Sequence, residues 1–140
     1  MDTLNPFALV PPLIALQFVV FGWRIAREVS LGDEGRRTWL LFSDFLNLAA
    51  MVAVVSFCVV VPLKTASFTV VSRTILGAGY VLICLTPLII AGHYCLFSRE
   101  GRSAYTRAGQ DYPWVSRQEA ILIAAALLCT GSAAWFIART

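Results

Sequence analysis

The chain has 140 residues, of which 59% are hydrophobic and 14% charged, and its mean hydropathy is +0.76. That balance excludes an ordinary soluble domain. The formal net charge of +3 is too small to indicate nucleic acid, which is not expected as a partner.

Four continuous apolar runs occupy residues 7–23, 38–63, 75–97 and 120–138. Each is close to or above the ~20 residues needed to cross ~30 Å of hydrocarbon. Because the runs are continuous rather than alternating, they predict helices, which satisfy their own backbone hydrogen bonds in lipid, and not a barrel. The expected fold is all-α, a single four-helix transmembrane bundle over 1–140, with no room for a separate soluble domain.

The first run opens among Pro6, Pro11 and Pro12. Each fits a first helical turn, and only one can hold that place without a kink. No basic segment precedes the run and no small-residue cleavage site follows Trp23, so it reads as a span and not as a signal peptide. After it come Arg24, Arg27, Arg36 and Arg37; Arg99, Arg102, Arg107 and Arg117 lie between the third and fourth runs. Lys64, Arg73 and Arg139 fall on the other side. The positive-inside rule places the charged loops 24–37 and 98–117 in the cytoplasm and both termini outside it. Ten arginines to one lysine fit a GC-rich bacterial source, so the expected location is a bacterial inner membrane.

The second run contains LFSDFLNL, which sets Asp44 and Asn47 three residues apart on one helix face. A charged aspartate inside a span costs on the order of 3 kcal/mol on insertion scales, so it is expected to face the bundle interior and find a partner. At 1.5 Å per residue, Asp44 lies about 9 Å past the cytoplasmic edge and Asn47 about 14 Å. The same count puts His93 about 8 Å in and Gln17 about 10 Å in. Gln17, Asp44, Asn47 and His93 therefore form one polar layer, with an expected contact from Asp44 to His93, direct or through Asn47 or water. The layer is either hydrogen-bond glue between spans two and three or a ligand or proton site with Arg24, Arg27 and Arg37 at its mouth.

The connection KTASFTVVSRT is short and predicts an antiparallel hairpin of spans two and three. Pro87 removes a backbone donor in span three and predicts a kink there, with Thr86 or a neighbouring helix meeting the freed carbonyl. The segment SREGRSAYTRAGQDYPWV is the longest connection and the expected surface for a partner or ligand. After it, SRQE is a capping box that opens the fourth helix at Ser116 and Glu119. Within that helix Ala126, Thr130, Ala134 and Ala138 recur every four residues, a small-residue stripe that admits a close neighbour. Trp23, Trp39, Tyr94 and Trp114 read as an aromatic belt at one interface, with Trp135 near the other. Cys58, Cys84, Cys95 and Cys129 match no metal or redox spacing and read as packing residues; no metal site is expected.

In RTWLLFSDF, Arg37 precedes the membrane acid Asp44 by seven residues, and GRSAYTR after span three carries Arg102 and Arg107. With the four-span layout, these segments resemble the MAPEG family of small membrane enzymes and binding proteins of glutathione and eicosanoid metabolism. The family's asparagine between arginine and acid falls here on Leu41, and its tyrosine after the acid on Phe45. The resemblance implies a glutathione site in which Arg37, Arg102 and Arg107 hold the anionic thiol peptide and Asp44 orders the pocket.

Three functions follow for comparison. The principal expectation is a non-enzymatic subunit or accessory component of a membrane assembly, forming a homo-oligomer or part of a larger complex and needing no cofactor. The alternatives are a MAPEG-like glutathione-binding enzyme and a small proton or ion pathway using Asp44 and His93.

Overall fold

The computed structural model describes residues 5–34, 40–98 and 114–139. Among these the elements are α1 (Pro6–Asp33), α2 (Phe42–Val54), a π-helical segment (Val55–Val60), α3 (Val61–Thr65), α4 (Val70–His93) and α5 (Arg117–Arg139). The second, third and fourth of these run on as one rod. Four rods are thus long and apolar enough to cross a membrane: Pro6–Asp33, Phe42–Thr65, Val70–His93 and Arg117–Arg139. Their number and order agree with the four apolar runs.

The bounds differ, and the differences place the polar residues. Pro6 takes the first helical turn, and the Asn5 side chain caps it by accepting from the Phe7 amide at 3.1 Å. Pro11 and Pro12 lie inside the helix. At its other end α1 continues past Trp23 to Asp33. Its inward residues Val10, Leu13, Gln17 and Arg24 keep one helical face for four turns, so Arg24 belongs to the packed stripe and not to a loop. The second rod begins at Phe42 rather than at 38, and α4 ends at His93 rather than at 97.

α4 ends in a Schellman turn. The Leu96 amide bonds the Ala91 carbonyl at 3.0 Å and the Cys95 amide bonds the Gly92 carbonyl at 3.0 Å. This places Cys95 in the left-handed region, φ 52°, where glycine is the usual residue. Within α4 the helix runs on through Pro87, and Thr86 donates its hydroxyl to the Leu82 carbonyl at 2.9 Å.

The π-helical segment has a local cause. The Val61 amide bonds Ser56, five residues back, and the next residue, Pro62, has no amide hydrogen. The Phe57 carbonyl is therefore deprived of both its α-type and its π-type backbone donor. The Ser72 hydroxyl, from the start of α4, donates to that carbonyl at 2.6 Å. Cys58 returns a bond, Sγ to the Ser72 carbonyl at 3.3 Å, which closes the hairpin of spans two and three.

α4 is the central rod. Of its most apolar window 44% is buried, against 11% for α5. Glycines let the neighbours close in. A Cβ on Gly79 would lie 2.9 Å from Leu13 and 3.1 Å from Val54, while one on Gly92 would lie 3.1 Å from the Glu119 amide nitrogen. One apolar cluster, Val10, Leu13, Val54, Cys58, Leu76 and Ile83, joins the first three rods. A second, Leu82, Ile89, Ile123 and Ala126, joins α4 to α5.

Candidate functional site

The end of the bundle where α1 finishes, α2 starts, α4 finishes and α5 starts holds a buried polar constellation. Arg24, fully buried, is its hub. Nε donates to Asp44 Oδ1 at 3.1 Å and Nη2 to Asp44 Oδ2 at 3.3 Å. The same Nη2 donates to Glu28 Oε1 at 2.9 Å, one helical turn on, and Nη1 donates to the Tyr94 hydroxyl at 2.9 Å. A planar guanidinium can meet these directions at once; a lysine ammonium cannot reproduce the fork.

Two residues hold the Asp44 carboxylate. Besides Arg24, its Oδ2 accepts from the Leu41 amide at 2.8 Å, one of the donors that the start of α2 leaves without a helical partner. The carboxylate lies in the first turn of α2, where the helix dipole favours negative charge. Asn47, one turn further, donates from Nδ2 to the Gln17 backbone carbonyl at 3.3 Å. That bond joins α1 to α2 directly.

A second group joins α4 to α5. His93 Nδ1 lies 2.8 Å from Glu119 Oε2, and both side chains are buried. The same oxygen accepts from the Ser116 amide at 3.3 Å, while Ser116 Oγ accepts from the Glu119 amide at 3.0 Å. This is the reciprocal capping box expected of SRQE. Ser116 Oγ also donates to the Gly92 carbonyl at 2.7 Å, so the end of α4 and the start of α5 share one hydroxyl. The two groups meet through Tyr94, whose ring stands edge-on to that of His93 with centroids 5.1 Å apart.

The four expected layer residues Gln17, Asp44, Asn47 and His93 are all buried at this end, but their pairing is different from that expected. Asp44 pairs with Arg24, and His93 pairs with Glu119. The expected contact from Asp44 to His93 is replaced because α2 starts at Phe42 and α4 stops at His93, which puts both groups at helix ends, Asp44 capping α2 and His93 facing the Glu119 cap of α5. Arg24, expected on the rim, is the buried counter-charge of Asp44; Arg27 is exposed on α1. Arg37, Arg102 and Arg107 lie outside the described residues, as do residues 99–113 of the long connection.

The stripe on α5 is also only partly a contact. Ala126 is buried, Thr130 and Ala134 are half-buried and Ala138 is exposed. Steps of four residues advance about 40° around a helix of 3.6 residues per turn, so the stripe turns away from α4. Cys58 and Cys95 are buried and pack inside, whereas Cys84 and Cys129 are exposed. Tyr94, expected in the aromatic belt, is half-buried with its hydroxyl on Arg24. Trp114 donates from Nε1 to the Leu40 carbonyl at 3.1 Å and meets Phe42 edge-on.

Sequence reasoning read Glu119 only as a helix cap, not as the partner of His93, and placed Arg24 at the mouth of the site rather than inside it on Asp44. For Arg24 the signal was its distance of seven residues from Gln17, two turns on the same face. For Glu119 it was the spacing to Ile123 and Ala126, which places it on the buried side of α5. Chemically, the constellation binds four rods to one another at one end.

Comparison of the chain with protein-family models, with curated proteins and with solved structures finds no match.

Proposed function

We propose that this chain is a small polytopic membrane protein that serves as a non-enzymatic subunit or accessory component of a membrane assembly. The observation that carries this reading is the commitment of the buried polar side chains to internal partners: Arg24 with Asp44 and Glu28, and His93 with Glu119. These groups act as struts between helices. The apolar faces of the rods are left for lipid and for other spans, as the low buried share of α5, 11%, illustrates. Beyond Asn47 the interior is filled by Val10, Leu13, Val54 and their neighbours, an arrangement that favours packing over a proton path.

In this reading the constellation lies at the cytoplasmic end of a bacterial inner-membrane protein, on the side rich in arginine, with both termini on the other side. The assembly is a homo-oligomer or a larger complex, and its function needs no cofactor.

Native mass spectrometry of the protein extracted gently from its own membranes tests the proposal. Co-extraction with other subunits in fixed ratio, or a discrete homo-oligomer without a bound mass of glutathione size, is the expected result. A homo-oligomer carrying a mass of glutathione size overturns it in favour of a glutathione-binding enzyme of the MAPEG kind.

A further inference from the structure

The outward side of α5 carries a shallow, open groove along a single helix face, lined by Leu127, Leu128, Gly131, Ser132, Trp135 and Phe136. Its walls are large and bare: Leu128 is 73% exposed and Phe136 63%. Its floor is made by the two smallest of these residues, and a Cβ on Gly131 would meet nothing within 4 Å. One turn beyond Trp135 stands Arg139, with its guanidinium carbon 4.0 Å from the centre of the Trp135 ring. An apolar trough therefore ends at a cation held in place by an aromatic face.

We propose that this trough binds one anionic phospholipid, with an acyl chain lying over Gly131 and Ser132 and the phosphate on Arg139. The charge decides between a lipid and a second copy of the chain. Two copies inserted in the same direction and joined through this face by a two-fold axis bring the two Arg139 side chains to the same level, cation against cation. A phosphate on the Arg139 guanidinium instead brings an opposite charge in a geometry that guanidinium groups favour. Tryptophan at such a position also suits the boundary between chain and headgroup.

The test uses the full chain reconstituted in phosphatidylcholine vesicles containing a minor fraction of phosphatidylglycerol, then released into the mass spectrometer to count retained lipids. One phosphatidylglycerol per chain, held in preference to phosphatidylcholine, is the expected result. Losing the charge-assisted bonds in Arg139→Gln lowers that preference about tenfold or more. Gly131→Leu fills the trough and lowers retention of both lipids. It folds, because the site is open and leucine is a better helix former than glycine. Unchanged phosphatidylglycerol retention in both variants overturns the proposal. So does a Gly131→Leu variant that breaks an oligomer while leaving lipid retention intact, which would assign this face to a second copy.

Discussion

Arg24 and Asp44 meet by a two-pronged bond across the α1–α2 seam, Nε to Oδ1 at 3.1 Å and Nη2 to Oδ2 at 3.3 Å. Each is the reason that the other can be buried. A lone arginine or a lone aspartate inside a helical bundle carries a desolvation cost that the remaining partners, Glu28 and Tyr94 for Arg24 and the Leu41 amide for Asp44, offset only in part. Truncating one partner takes from the other its two-pronged counter-charge, so Arg24→Leu and Asp44→Leu each cost about 3–5 kcal/mol, with Asp44→Leu the milder because Arg24 keeps Glu28. The double variant Arg24→Leu with Asp44→Leu recovers a large part of that loss, although Leu41 then lacks its capping acceptor. Unfolding of the four proteins in mixed micelles, closed as a double-mutant cycle, measures the coupling. Additive losses would show that the two charges act independently.

The existence of this pair was half legible in the chain. Asp44 stands out in an apolar run, and an acid in that setting needs a partner. Its partner was harder to read because the apolar run ends at Trp23 while the helix does not: α1 carries its inward face on through Arg24 and Glu28. Hydropathy marks where lipid contact stops, whereas the helix stops only at Asp33. His93 was misassigned for the converse reason. The apolar run continues to Phe97, but the Schellman turn at Cys95 ends α4 earlier and aims the imidazole at the incoming α5. SRQE was legible in full, since a capping box is a local pattern and needs no tertiary partner.

The Glu119 carboxylate serves both as half of the capping box and as the acceptor facing His93. Glu119→Ala loses both roles and leaves buried donors unpaired, at a cost of about 2–4 kcal/mol. Glu119→Gln keeps a side-chain oxygen for the Ser116 amide and is expected to lose clearly less. Ser116→Ala should cost about 1–2 kcal/mol, from the lost N-cap together with the lost bond to the Gly92 carbonyl. Thermal unfolding in detergent ranks the three, and an order in which Gln is as harmful as Ala would remove the capping role from the explanation.

Gly92 and Gly22 make opposite predictions for the same substitution. At Gly92 a Cβ meets the α5 backbone, 3.1 Å from the Glu119 nitrogen and 3.2 Å from the Gln118 carbonyl carbon. Backbone cannot rotate aside as a side chain does, so Gly92→Ala pushes α5 outward and costs about 1–3 kcal/mol. At Gly22 a Cβ meets nothing within 4 Å, and Gly22→Ala should stabilise α1 by about 0.5–1 kcal/mol. The His93–Glu119 bond spans the same crossing, so the Gly92 variant should also blunt the effect of Glu119→Ala. Equal stability of the two alanine variants would contradict the close approach of α4 and α5.

Ser72 and Pro62 should be coupled although they sit on different rods. Pro62 withholds the amide that the Phe57 carbonyl needs in the widened turn, and Ser72 Oγ meets that carbonyl at 2.6 Å. Ser72→Ala strips the carbonyl of its donor inside an apolar interior, where water does not replace it, and should cost about 1–2 kcal/mol. Pro62→Ala restores an amide hydrogen at that position. In the α register Val61 can then return to Phe57, and in the π register the new amide reaches it directly, so either register gives the carbonyl a backbone partner. Ser72→Ala should therefore be much less harmful in the Pro62→Ala background than in the native chain. The loss of the Ser72 contact with Thr69 Oγ1, 3.0 Å away, is the same in both backgrounds and cancels in the cycle. Unfolding measured for the two single variants and the double one gives the coupling, and a value near zero would mean that the hydroxyl does not compensate for the proline.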